Sequence, residues 1–574
     1  MNNLNKLKKL LIKKNIDAYL VPKNDCFFNE FIKTDNDRLR YVSNFTGSAG
    51  TALIFKKKNY LFVDGRYTLQ AKQETDHLFN IIDISKVNVL NFLKKNHTNV
   101  KIGYDPNLFR FQVIKNILKE KVNLVPIEKN LIDQVWKDKK KEVYKNAFIL
   151  ENQYSGISHI NKIKSLKNLL NINEKNSFFI SSSENVCWLL NIRGEDSFYS
   201  PLLNAFALIQ QNKIIVFCNL KKVGNKLIKS FKKDVQFFDI KSLKEKLMKT
   251  KIVSVKIDPA ITSYGLIKFL QSSKIKCKFI QDPIFHLKSK KNKIEIQNLR
   301  IAHMFDGVAL VKLFFWINQF KNKKKIKEIS SQKQLENFRK ENSFYLGPSF
   351  PPISGFNKNA AIIHYNATSK TNLSLTGNGI YLLDTGGQYS WGTTDVTRTI
   401  AFGKPSLYKK NIYTRVLKGH LALKNFKLKN DTTGAQLDRA ARKYLKQIEL
   451  DYPHSTGHGV GYYLNVHENP PSISKKSMDR FVAGQVVSNE PGYYREGQFG
   501  MRIENLIYVN KIKKKLLFEN LTLVPYDKNL INKNLLSKVE IRYLNSYHKE
   551  VFDKLNCFFN LKELSFLKKI CSPL

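Results

Sequence analysis

The chain has 574 residues, too many for one hydrophobic core, and its 42% hydrophobic and 12% aromatic content is that of a folded soluble protein of two to four domains. Lys and Arg outnumber Asp and Glu by 97 to 47, but the lysines are spread over nearly every segment without clustered arginine or interleaved stacking aromatics, so the +50 charge reads as a compositional drift and a solvated face rather than as a nucleic-acid-binding patch, which is the alternative. No run of about 18 uninterrupted apolar residues marks a membrane span; the strongest candidate, "ALVKLFFWI", is broken by Lys312.

Leu4, Leu7, Leu10 and Leu11 recur at helical spacing, so an opening helix is expected to lead into a strand at "DAYLVP". The same stretch lacks the apolar core of a signal peptide. Six scattered cysteines (Cys26, Cys187, Cys218, Cys277, Cys557 and Cys571) contain no CxxC pair and make no disulfide framework, which points to a reducing cytoplasm.

Three segments follow. The first, 1–126, alternates strands ("AYLVP", "TALIF", "YLFVD") with a helix through "RYTLQAKQE". The second, 127–289, repeats the recipe with "SFFISS", "AFALIQ" and "KIIVFCN". "SNFTG" (43–47) and "LNIRG" (190–194) echo each other, each with Asn three before Gly, and suggest a duplicated α/β unit. The third segment, 290–574, opens on a long helix in which Ile296, Leu299, His303, Val308 and Val311 share a face. "KNKKKIKEISSQKQ" is expected to be a connector, and strands, turns and a few helices fill the rest.

The chemistry concentrates in this third segment. In "YLLDTGGQYSWGTTDVTRTI" (381–400), Asp384 and Asp395 are symmetric about Tyr389–Ser390. If the flanking runs pair as antiparallel strands, the two carboxylates face each other with Cβ atoms about 5 Å apart. "VVSNEPGYYREGQFGMRIENLIYV" (486–509) repeats the pattern with Glu490 and Glu504 about Gly497. Four converging carboxylates repel unless multivalent cations neutralise them. Between the pairs lies "YPHSTGHGVGYYLNVHENP" (452–470), with His454, His458 and His467. Gly457 and Gly459 let the backbone approach closely around His458, whose imidazole favours a transition metal. Arg502 stands two before Glu504, on the same strand face, and is expected to anchor an aspartate behind the metals. Arg398 is expected at the surface.

The order Asp–Asp–His–Glu–Glu, with "LLDTGGQY", "TTDVTRT", "HSTGHGVGYYLNVHE", "SNEPGYY" and "GMRIEN", resembles the pita-bread metallopeptidases of family M24, most closely their three-domain cytosolic Xaa-Pro aminopeptidases. "NFTGSAGTALI" and "FVDGRYTLQA" resemble that group's first domain, and "NLIDQVWKD" the start of its second. "AHMFDGVALVKLFFWI" and "SFPPISGFNKNAAIIHY" resemble its catalytic domain, and "LTLVPYDKNLI" and "EIRYLNSYHKEV" its C-terminal extension, here about 510–574. The resemblance implies an α/β and α+β multidomain protein: two related α/β N-terminal domains followed by a pita-bread catalytic domain.

It also implies two divalent metals, usually manganese, bridged by Asp395 and Glu504. Asp384 serves one ion, His458 and Glu490 the other, and a hydroxide shared by the ions is the nucleophile. Glu490 then shuttles the proton to the leaving amine. His364 and His467 match histidines near the scissile carbonyl, His454 matches another pocket histidine, and Arg66 in "FVDGRYTL" is a candidate for limiting substrate length. The implied substrates are peptides with proline at position two, and the implied assembly is a homodimer. A prolidase cleaving Xaa-Pro dipeptides and a non-catalytic pita-bread binding protein are the alternatives.

Overall fold

The leucine stripe forms the helix Asn2–Lys13, which sinks Leu4, Leu7 and Leu11 into a core and leaves its lysines outside. Each leucine so buried contributes about 1.5–3 kcal/mol. The computed structural model describes residues 2–96, 99–139, 144–231, 234–250, 252–320 and 326–574. The chain divides into two units, Met1–Asn152 with Ile157–Ile284, and Gln153–Gly156 with Phe285–Leu574. All six cysteines are free.

The first unit holds two six-stranded sheets. One comprises β1 (Ala18–Pro22), β2 (Thr51–Phe55), β3 (Asn59–Val63), β4 (Asn80–Asp83), β5 (Ile102–Tyr104) and β6 (Leu124–Pro126) in the order β4-β3-β2-β1-β5-β6. The other comprises β7 (Asn176–Ile180), β8 (Ala205–Ile209), β9 (Ile214–Cys218), β10 (Val235–Asp239), β11 (Ser254–Ile257) and β12 (Lys276–Phe279) in the order β10-β9-β8-β7-β11-β12. In both, the three consecutive strands β1–β3 or β7–β9 pair antiparallel and the remaining pairings are parallel. The echo between "SNFTG" and "LNIRG" has a physical basis in this repeated topology. Asn44 ends the helix Arg38–Ser43 at φ 64°, and Asn191 ends the helix Ser183–Leu190 at φ 52°. Each is the left-handed cap that turns the chain from a first helix toward the next strand, and asparagine tolerates that conformation.

One boundary needs correction. "NLIDQVWKD", expected beyond a boundary at 126, closes the first sheet rather than opening the second. The helix Leu131–Val135 buries Leu131 and Ile132 in the same core as Leu4 and Leu7, and Asn130 Nδ2 donates to Asp105 Oδ2 at 2.9 Å. The apolar Leu–Ile pair finds its cover on the sheet already formed.

In the second unit the predicted long helix spans Lys293–Phe320. By length and composition it could cross a membrane, yet Leu310, Val311, Leu313 and Ile317 pack into the unit's cores. Leu299, His303, Val308 and Val311 are buried as their spacing requires, with Ile296 half-buried. The lysine-rich connector is a second correction. Its residues 321–325 lie outside the described residues, but the rest begins a helix, Glu328–Lys340. The buried stripe of that helix is Glu328, Ser331, Leu335 and Arg339, so a polar inner face hid it from a search for apolar periodicity.

Two of its sheets frame the rest, beside a small three-stranded and a two-stranded one. Strand Gly379–Thr385, buried throughout, is central between Ile353–Phe356 and Val396–Phe402. A five-stranded sheet runs Glu468–Ile473, Gly457–Gly459, Val486–Asn489, Asn505–Ile512, Lys515–Asn520. Helices Leu407–Lys424 and Lys538–Leu555 contribute Val416, Leu417, Leu421, Leu544 and Val551 to one core with Met501 and Ile503.

Candidate metal centre

The aspartate hairpin forms, with a register different from the symmetric one expected. Strand Gly379–Thr385 pairs with Val396–Phe402 so that Asp384 faces Thr397, not Asp395. Gln388 pairs with Thr393 and Tyr389 with Gly392, which leaves Ser390–Trp391 as the turn. Gly392 closes it at φ +132°, where a Cβ would also lie 2.5 Å from Leu299. That glycine-only conformation moves the turn one residue along. Asp395 therefore becomes the diagonal neighbour of Asp384 on the same sheet face. Behind the hairpin, Arg339 Nε donates to Asp306 Oδ1 at 2.8 Å and its Nη1 to Thr385 Oγ1 at 2.7 Å. Asp306 also accepts from the hydroxyls of Tyr389 and Thr394, both at 3.0 Å.

The glutamate hairpin keeps the expected symmetry. Gly492 pairs with Arg502 and Asn489 with Asn505, a single register centred on Gly497 at φ +72°. Glu490 and Glu504 fall at matching points between these two ladders, and their main chains tie the site together. The Glu504 N–H donates to the Thr397 carbonyl at 3.1 Å, joining the two hairpins. The Glu490 N–H donates to the Thr456 carbonyl at 2.9 Å, joining the histidine segment.

The glycines around His458 make that approach sterically feasible. A Cβ at Gly457 would lie 2.0 Å from the Ser488 carbonyl oxygen, and one at Gly459 2.5 Å from that of Glu468. The His458 Nδ1–H donates to the Gly459 carbonyl at 2.8 Å, which turns the Nε2 lone pair toward the acids. Nε2 is 3.6 Å from Asp395 Oδ2 and 3.4 Å from Glu490 Oε1. One donor atom each from Asp395, His458 and Glu504 lie within 4.8 Å of one another, a spacing able to hold a metal ion. Asp384 takes Arg502 Nη2 on one oxygen at 2.5 Å, while its Oδ1 is buried without a hydrogen-bond partner among the described residues.

The electrostatics are lopsided. Burial pushes Asp395 well above the usual carboxylate range, and Glu504, Asp384 and Glu490 push it further. Glu504 is raised in the same way, by burial and then by Glu490 and Asp384. Burial, opposed by Arg502, leaves Glu490 up at about 7. One guanidinium does not neutralise four acids in a largely buried pocket. Oxygen-rich donors with one imidazole and an orphaned buried carboxylate oxygen fit divalent transition-metal ions.

The remaining predicted residues divide. Arg502 sits on Asp384 as expected, and its Nη1 donates to the Tyr494 hydroxyl at 2.5 Å. His454 Nε2 shares that hydroxyl at 2.8 Å, and its Nδ1 is 4.0 Å from Glu490 Oε2. The His467 ring meets His458 edge-on, centroids 4.4 Å apart. His364 is half-buried and follows Ile363, whose carbonyl lies 3.5 Å from Arg502 Nη2. Arg66 lies in the first unit, forked onto Asp64 by two 2.8 Å bonds. Arg398 corrects its surface assignment. It is 1% exposed, and its guanidinium donates to the carbonyls of Thr397, Glu504, Val524 and Pro525. On the strand Val396–Phe402 it points opposite to Thr397, into the polar rim of the C-terminal segment, where main-chain acceptors satisfy it.

Thr397 and Tyr494 escaped the sequence reading. The Thr397 hydroxyl donates to Glu504 Oε2 at 2.7 Å and accepts from Arg502 Nε at 3.2 Å. It stands two after Asp395, so the same-face spacing that identified Arg502 also points to it.

The sequence matches the metallopeptidase family M24 over 297–511, the C-terminal region of that peptidase over 514–574, and the creatinase/prolidase N-terminal domain twice, over 3–135 and 138–295. A probable Xaa-Pro aminopeptidase P of Coprinopsis cinerea is 34% identical over 609 residues, covering 99% of this chain and 97% of its own. Xaa-Pro aminopeptidase 1 of Dictyostelium discoideum is 34% identical, with 99% and 96% covered. The crystal structure of X-prolyl aminopeptidase from Caenorhabditis elegans, described as a cytosolic enzyme with a di-nuclear active site, matches at a TM-score of 0.94 and 28% identity, covering 100% of this chain and 99% of that one.

Proposed function

The chain belongs to metallopeptidase family M24, and on that premise we propose that it is a dinuclear-metal aminopeptidase that hydrolyses the bond between an N-terminal residue and a following proline. Its architecture is the α/β and α+β one expected, two related N-terminal domains before a pita-bread catalytic domain. The observation that carries the reading is the convergence of Asp384, Asp395, His458, Glu490 and Glu504 on one buried site with too little positive charge of its own.

In this reading those five residues would hold two divalent cations, taken to be manganese. When bound, the ions neutralise the acids, polarise the scissile carbonyl and activate water as the nucleophile. The protein's own groups do the rest. Arg502 holds Asp384 in place, and Thr397 orients Glu504 through its hydroxyl. Ser488 donates to Glu490 Oε1 at 3.1 Å and leaves Oε2 to carry a proton toward the leaving proline nitrogen. His364 and His467 donate to the substrate carbonyl as its oxygen gains charge, a contribution of about 3 kcal/mol per donor. His454, fixed by Tyr494, lines the pocket beside Glu490.

Arg66 as a limit on substrate length, a catalytic domain opening near 290, a cytoplasmic location and a homodimer belong to the same proposal. The location is supported by the cytosolic description of the C. elegans enzyme. The test is to supply manganese to metal-stripped protein and offer an Xaa-Pro-Yaa tripeptide beside an Xaa-Pro dipeptide. Metal-dependent cleavage of the tripeptide supports the proposal. Cleavage of the dipeptide alone makes the protein a prolidase, and cleavage of neither sinks the peptidase reading.

A further inference from the structure

Arg398 has no place in the chemistry, yet it is among the largest fully buried side chains. Its Nη1 donates to the Glu504 carbonyl at 2.6 Å and the Thr397 carbonyl at 2.9 Å. Its Nη2 donates to Asn505 Oδ1 at 2.7 Å, the Val524 carbonyl at 2.6 Å and the Tyr547 hydroxyl at 3.1 Å. One guanidinium thus grips the main chain of a site carboxylate on one side and the C-terminal region on the other. A planar fork of five donors suits this task as no other side chain does.

Tyr547 fixes the far end of that grip. Its hydroxyl, with one proton to give, lies 3.0 and 2.9 Å from the carbonyls of Thr522 and Val524, and it accepts from the Val524 N–H at 3.2 Å. A parallel link runs through His420, between the Asn489 carbonyl at 3.0 Å and the Tyr526 hydroxyl at 3.1 Å. Asn489 directly precedes Glu490. Both glutamates therefore have their main chains tied to the segment 522–548 by buried hydrogen bonds.

We infer that Arg398 and Tyr547 are positioning residues, through which the C-terminal region sets where the Glu504 carboxylate stands against Asp395. The inference rests on the reading of this cluster as a metal site. Groups that orient metal-binding side chains typically change affinity 10–100-fold when removed.

The experiment uses the full chain, stripped of metal and titrated calorimetrically with manganese(II). Tyr547→Phe deletes one hydroxyl and keeps the ring, so it preserves the core. We expect its manganese affinity to fall about tenfold or more, with turnover recovered at saturating manganese. Arg398→Lys keeps the charge but loses the fork, and should weaken affinity at least as much. Leu567→Ala, which opens the same C-terminal core but removes no hydrogen bond, should unfold more readily with unchanged manganese affinity. Wild-type affinity in Tyr547→Phe, or an equal loss in Leu567→Ala, overturns the inference alone. Failure of the wild-type protein to bind manganese overturns the metal reading and this inference with it.

Discussion

The two hairpins that supply the acids solve one problem in two ways. The aspartate hairpin closes on a glycine-shifted turn and is braced from behind by a buried ion pair, Asp306 with Arg339, brought in by two helices. The glutamate hairpin closes symmetrically on Gly497 and is braced by main-chain bonds from Arg398 and His420, which lead to the C-terminal region. The difference teaches that carboxylates are not held in a cluster by their own strands. Each pair needs a buried polar brace from elsewhere in the chain, because the strands alone leave mutual repulsion unopposed.

The comparison breaks most completely if either shared acid is dispensable. Asp395→Ala or Glu504→Ala should reduce peptide cleavage to the uncatalysed background and lower metal content, measured by assay and elemental analysis; normal turnover in either variant refutes the pairing. Arg339→Met, which strands Asp306 without its partner, should cost about 3–5 kcal/mol in denaturant unfolding. A smaller cost than an exposed pair would show that the aspartate hairpin stands unaided. His364→Ala should lower turnover about 10²–10³-fold with both metals retained, and metal loss instead would make His364 part of the brace.

The smallest effect is one of pH. In metal-free protein Glu490 is raised to about 7, and burial and mutual repulsion hold Asp395 and Glu504 well above the usual carboxylate range. The folded state then keeps protons that the unfolded chain has released, so its stability falls as pH rises from the ordinary carboxylate range, about 4, toward those raised values and levels off above them. Buried His420 and His548, both lowered to about 3, act oppositely, but only below the ordinary 6.5 of histidine. Between pH 6.5 and about 7 the metal-free stability should fall, by at most about 1.4 kcal/mol per pH unit per proton and Tm with it, and manganese should flatten the slope. A metal-free Tm that is flat or rising over that range would show the cluster to be ionised without help.

The donors themselves were legible in the sequence because each sits in a short local pattern: an acid beside a turn, a histidine between glycines, an arginine two residues from a glutamate. So was the long helix Lys293–Phe320, whose buried face repeats at helical spacing. The braces were not. The inner face of Glu328–Lys340 is polar, Arg398 reads as a surface charge, and apart from the neighbouring Thr397 carbonyl the main-chain acceptors that bury it lie more than a hundred residues away. The register slip at Ser390–Trp391 depends on the backbone conformation of Gly392, which spacing alone does not reveal.

The central claim is that four acids coexist in this pocket because two cations join them. Isothermal titration of metal-stripped protein with manganese, repeated in buffers of different ionisation enthalpy, tests it most directly. The account predicts two ions bound per chain with release of at least one proton, as raised carboxyl groups give up hydrogen to metal. Saturation without proton release, or no saturable binding beside intact peptidase activity, would contradict it.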